Sequence, residues 1–300
     1  MNKIFAITCH KLTQPLIHTV TYFASFEENI VLIHVDKKTN IEDFLFLKGN
    51  NVHFIENRIN ILWGNVSQII STIELMKYSL KYEYEYEYEY FFLLSGDDIP
   101  LKSNEELNNF LYKNSKYEFI HYQDGKTSYI NPEDRVKYNY PLFFFLKKKT
   151  LYIRLKKFFV YTFKDVFYKN KLFYDHKINI PKLYKGTNWF GLKKSTIIYI
   201  LEYIYNNPWF LDLFEKSICG DEVFFHSIIK TNSEIIIFDN PNYGHKALRY
   251  IDWVSGPEFP KILNEEDISN MRKSNYFFAR KVHEDAKDSF MKSFLKDFIL

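Results

Sequence analysis

The sequence predicts an α/β fold, a mostly parallel sheet flanked by helices, formed as a single domain with a helical insertion. Three observations predict it. Short apolar runs alternate with segments of helical spacing over the first hundred residues, the chain order of a parallel sheet with crossover helices. Two of those runs, at 29–36 and 90–98, are almost continuously apolar and end in acids, as strands covered on both sides do. No clear linker divides the 300 residues, a length sufficient for one large core.

The elements follow in order. Residues 3–9 read as a short buried strand, and Thr13 to Phe26 has helical spacing. NIVLIHVD, Asn29 to Asp36, reads as a second strand and VHFIEN as a third. A helix is expected from Val66 to Leu80. YFFLLSGDD, Tyr90 to Asp98, is the fourth strand, with a turn at Asp98-Ile99-Pro100. Ligands of such sheets sit beyond the carboxyl ends of the strands, where His10, Asp36 with Lys37 and Lys38, and Asp97 with Asp98 fall. The alternating YEYEYEYEY, Tyr82 to Tyr90, is of low complexity and reads as an exposed strand or as the end of the preceding helix. Further on, KGTNWFGLKKS gives a turn, an aromatic pair and then a helix. GDEVFF opens another helix, and SEIIIFDN, Ser233 to Asn240, reads as a late strand.

Composition narrows the function. A formal net charge of only +3 argues against a dedicated nucleic-acid binder. The two cysteines, Cys9 and Cys219, have no metal-type spacing and suit a reduced, cytoplasmic protein. No apolar run reaches the length of about 18 residues that a membrane span needs, and the apolar part of the N-terminus is too short for a secretory signal. The stretch from Tyr140 to Tyr184 interleaves bulky aromatics with lysines. It reads either as a helix with an ordinary solvated lysine face or as a peripheral contact with the inner face of a membrane.

The chemistry-bearing residues lie on separate segments. Asp221 and Glu222 head an otherwise apolar run, with Asp221 suited to a helix first turn and Glu222 placed to accept a proton from an acceptor hydroxyl. Arg249 stands among aromatics and needs a partner, either Asp252 or a diphosphate. Lys281 ends an aromatic run after Arg280 and supplies a second cation for a leaving diphosphate. The sequence has no Asp-x-Asp pair, and the adjacent Asp97 and Asp98 point apart on an extended segment, which weakens a metal site without closing it.

Taken together these segments resemble the core-2/I-branching β-1,6-N-acetylglucosaminyltransferase and peptide O-xylosyltransferase family, from about Phe5 to Lys281. The motifs are the strand ending in His10, IHVDKK at 33–38, LWGN at 62–65, LLSGDDIPL at 93–101, GTNWFGL at 186–192, GDEVFFHS at 220–227, LRYIDW at 248–253 and FFARK at 277–281. The last is similar to the xylosyltransferase branch and its bacterial relatives. The resemblance implies a glycosyltransferase-A fold, a UDP-sugar donor carrying N-acetylglucosamine or xylose, inversion at the anomeric carbon, and neither metal nor other cofactor. It implies Glu222 as base and Arg249 with Lys281 on the donor diphosphate. It places Thr8, Cys9, His10, Asp36, Lys37, Trp63 and Asp98 on the nucleotide side, and Trp189 and Asp221 at the sugar or acceptor pocket. The expected acceptor is a glycan or a lipid-linked glycan of a growing surface polysaccharide. Animal members carry a membrane anchor and many cysteines, so this chain is expected to be a bacterial-type, cytoplasmic version. Two rivals stand beside this reading: a metal-dependent transferase using Asp97 and Asp98, and a non-catalytic glycan-binding relative.

Overall fold

A computed structural model describes residues 1–81, 87–124, 129–146, 150–176 and 179–295. Strand β1 (Lys3–Cys9) leads into helix α1 (Gln14–Ala24). Thr13 caps α1, accepting the Leu16 N–H on Oγ1 at 3.2 Å, and Pro15 occupies its first turn, a start that the sequence carries openly. Strands β2 (Asn29–Val35) and β3 (Val52–Phe54), helix α2 (Ser67–Lys81) and strand β4 (Tyr90–Ser95) follow. Next come β5 (Ile99–Pro100), α3 (Asn104–Lys113) and β6 (Phe119–Tyr122). Between β6 and the next strand lie a 3-10 turn (Leu142–Phe145) and helices α4 (Leu151–Phe167) and α5 (Lys171–Asp175). The chain continues through β7 (Gly186–Lys193), α6 (Lys194–Asn206), α7 (Pro208–Asp212), α8 (Phe224–Ile229), β8 (Arg249–Ile251), α9 (Ile268–Lys273), β9 (Phe278–Arg280) and α10 (Asp288–Lys292).

The main sheet has six strands in the order β3-β2-β1-β4-β7-β6. The first four are mutually parallel, and β7 runs antiparallel to both β4 and β6. Alternation of side chains along each strand divides the core between the two faces. Phe5, Ile7 and Cys9 pack with Leu16, Val20 and Phe23 of α1 on one face, and Ile4 and Ala6 pack with residues of α2, α6 and α8 on the other. The register sets Thr8 opposite His34 on one side and Ser95 on the other, so the polar tips of three strands come level. A smaller sheet, β5-β9-β8, lies beyond β4 in the chain and brings the LRYIDW and FFARK segments alongside the Asp98 turn.

The mostly parallel α/β fold is as expected, with local differences. GTNWFGL is strand β7, in which Gly191 packs so tightly that a Cβ would fall 2.4 Å from Phe92 Cε1. SEIIIFDN does not form a strand. Its backbone meets the main sheet only around Ile237, through a bridge to Glu118. Of the tyrosine-glutamate repeat, residues 82–86 lie outside the described residues, and Tyr90 opens β4.

Candidate active site

The carboxyl ends of β1, β2 and β4 open into a cavity of about 580 Å³, a size typical of small-molecule sites. Thr8, Cys9 and His10 line it from the tip of β1. Burial pushes the Cys9 thiol well above its ordinary range, with Asp97 and Asp36 adding to the effect, so it acts as packing and not as a nucleophile. After β2, Asp36 and Lys38 line the cavity, whereas Lys37 is exposed and does not. Arg58 fixes this loop by donating to the carbonyls of Val35 (3.1 Å), Asp36 (3.0 Å), Lys37 (3.0 Å) and Thr39 (2.6 Å).

Trp63 stands at the cavity edge, 65% exposed. Gly64 follows it at φ 74°, a left-handed conformation that favours glycine. The Gly64 carbonyl accepts the Cys219 N–H at 2.7 Å. Gln68, which also lines the cavity, accepts the Gly64 N–H and donates to Asp221 Oδ2 at 3.4 Å. The LWGN turn thereby ties the cavity wall to the GDE turn.

At the tip of β4 the two acids part. Asp97 lines the cavity and pairs with Lys281 at 3.5 Å. Asp98 is fully buried, accepts from Ser95 Oγ at 2.6 Å, and faces two guanidiniums, Arg249 Nε at 3.5 Å and Arg280 Nε at 3.7 Å. Arg249 has no exposed surface. Its remaining donors meet the carbonyls of Ala247, at 2.9 Å, and Leu93. Burial pushes its guanidinium down to about 10, opposed by Asp98. Arg280 differs: it lines the cavity and its guanidinium stacks 4.2 Å from the Trp189 ring.

The GDE segment is also not the expected helix. Gly220–Glu222 is a 3-10 turn, entered through Cys219 at φ 49°, and α8 starts only at Phe224. Asp221 is the buried member of the pair, and its carboxyl is pushed up to about 7 by burial and by the charge of Glu222. The Glu222 side chain is 30% exposed and held by Arg135 at 3.2 Å and Lys185 at 3.1 Å.

The structure therefore brings Thr8, Cys9, His10, Asp36, Trp63, Trp189 and Lys281 to one cavity and leaves other residues named from the sequence outside its lining. Arg249 and Asp98 lie beneath the surface, too deep to touch a ligand in the cavity, and their places at the lining are taken by Arg280 and Asp97. Neither Glu222 nor Asp221 lines the cavity; Gln68, which does, donates to Asp221. Arg280, Arg58, Gln68, Arg135 and Lys185 were not singled out as site residues from the sequence. Arg280 alone had a signal, its place inside FFARK beside Lys281. Among the described residues no group of three or more His, Cys, Asp or Glu side chains is placed to hold a metal ion.

A family model described as Core-2/I-Branching enzyme matches residues 4–272. None of the curated proteins matches the chain.

Proposed function

Since the chain belongs to the Core-2/I-branching enzyme family, and is a glycosyltransferase by that membership, we propose that it is an inverting, metal-independent enzyme. It moves N-acetylglucosamine or xylose from a UDP-sugar to a hydroxyl of a glycan or glycoconjugate. The observation that carries this reading is the strand-tip cavity in which Arg280 and Lys281 stand side by side among Trp63, Trp189 and the polar tip of β1.

The nucleotide lies along β1 and the loop after β2, with Trp63 at its edge. Arg280 and Lys281 face the diphosphate. Arg280 is braced from behind by Asp98 and flat against Trp189, so its fork is aimed before the donor arrives. In this reading the acceptor approaches from the side of Glu222, whose carboxylate lies outside the cavity lining but is partly exposed, and loses its proton to it; the freed oxygen bonds to the anomeric carbon as the bond to the UDP oxygen breaks on the opposite face. The electron pair leaves on the β-phosphate, where the two cations neutralise it. Arg249 acts at one remove, by holding Asp98 in place. The rival that uses a metal at Asp97 and Asp98 is disfavoured because Asp98 is committed to Ser95 and two arginines.

The test is UDP release from a panel of UDP-sugars, with and without simple glycosides as acceptors. Turnover with UDP-N-acetylglucosamine or UDP-xylose supports the reading. Binding of glycans without release from any donor replaces it with the non-catalytic relative.

A further inference from the structure

Helix α4 is folded with its amphipathic sense reversed. Leu151, Leu155, Phe158 and Val166 are spaced to form one stripe along the helix. That stripe faces solvent, at 72%, 60%, 70% and 70% exposure, and Val160 is the helix's one buried residue. The lysines turn the other way. Lys157 lies 5.1 Å over the Phe144 ring and Lys164 4.8 Å over Tyr138, both against the body of the fold. A helix on the surface of a globular protein ordinarily buries its apolar stripe and exposes its charges.

We propose that α4 docks on an anionic lipid bilayer and that this contact sets the donor cavity beside a membrane-held acceptor. The second half of this inference rests on the transferase reading of the cavity. The first stands on geometry and charge. Between residues 150 and 176 six cations (Arg154, Lys156, Lys157, Lys164, Lys169 and Lys171) stand against only Asp165 and Asp175, so the segment as a whole is cationic, with Arg154 exposed beside the stripe. Apolar side chains entering the headgroup boundary with cations beside them is the arrangement of an interfacial helix. No helix among the described residues is long and apolar enough to cross a membrane, so α4 would lie on the bilayer. The same excess of cations makes a second copy of this face a poor partner, because two such surfaces repel. Helix α4 is also tied to the cavity wall. Phe144 meets Tyr161 of α4 with ring centroids 5.2 Å apart, and the adjoining Phe145 and Leu146 line the cavity. A bilayer under α4 would therefore lie near the cavity rim, where a glycan on a lipid carrier presents its hydroxyls.

Flotation of the full chain with vesicles tests the docking. Vesicles containing phosphatidylglycerol should carry the protein up the gradient, and pure phosphatidylcholine vesicles should carry much less. Rising salt should release it. Leu155→Glu with Phe158→Glu should reduce partitioning at least about tenfold while thermal melting stays as in the parent, which shows the variant folded. Arg154→Gln with Lys171→Gln should lower the preference for anionic over neutral vesicles. Glu222→Gln should float as the parent does, which separates this inference from the catalytic one. Absence of flotation, or equal salt-insensitive binding to both vesicle types, overturns the proposal. So does a dimer in solution that Phe158→Glu converts to monomer.

Discussion

Two acidic pairs, Asp97-Asp98 and Asp221-Glu222, each follow a glycine, and the fold treats them in opposite ways. In the first the buried acid, Asp98, takes two guanidiniums, and its more exposed neighbour meets only Lys281. In the second the buried acid, Asp221, forms no ion pair among the described residues and is pushed up to about 7, while its more exposed neighbour takes both Arg135 and Lys185. The difference teaches that burial and the charges the fold delivers, the adjacent one included, set the state of a carboxylate, and that the shared motif alone does not. On the proposed reading it also divides the labour: the first pair anchors the cations of the cavity, and the second presents one carboxylate, Glu222, beside a buried partner.

The largest effect should come from Glu222→Gln, which removes the proton acceptor and lowers turnover by about 10²–10⁴-fold while calorimetry still detects UDP binding. Retained turnover would transfer the role to Asp221 and break the division just drawn. Next, Asp98→Ala leaves Arg249 buried without its carboxylate and should cost about 3–5 kcal/mol in urea unfolding. A cost near zero would show that the first pair is not an anchor. Arg280→Ala should lower kcat/KM by about 10²-fold with little change in melting, distinguishing a cation that meets ligand from one that supports it. Asp221→Asn should act on pH dependence. A carboxyl raised from its ordinary value of 3.8 to about 7 in the fold keeps its proton to higher pH than it does in the unfolded chain. Its stabilising effect is present at low pH and is lost as pH rises through that window, by at most about 1.4 kcal/mol per pH unit. Urea titrations across the window should show a slope in the parent that the variant flattens. At the small end, excess chelator should leave turnover unchanged, and its loss would restore a metal to Asp97.

Strands β1, β2 and β4 were legible because they are continuously apolar, as doubly covered strands must be. Strand β7 was not, because GTNWFGL mixes small, polar and aromatic residues, and its pairing depends on Gly191 fitting against Phe92. The run 233–240 has strand composition, yet its backbone bonds to the main sheet involve Glu118 alone, whose N–H donates to the Ile236 carbonyl and whose carbonyl accepts from the Phe238 N–H, before the chain turns at Asn240. At the site, the residues of the strand tips followed from topology. The motif order located both arginines but not their depth, since burial of Arg249 depends on how β8 sits against Phe278 and Asp98. Arg135 and Lys185 come from segments distant in sequence from Glu222, and nothing local to them signals the meeting.

One consequence belongs to Arg58. A single guanidinium grips the four carbonyls of the loop after β2, so that loop holds one arrangement before any nucleotide arrives. Immobilising a backbone residue costs about 1–2 kcal/mol in conformational entropy, and here that cost is met during folding. Association then no longer carries that part of the ordering cost. On the proposed reading, a change at Arg58 would leave every nucleotide-facing side chain in place and still slacken the grip, by postponing the freezing of the loop to the moment of capture.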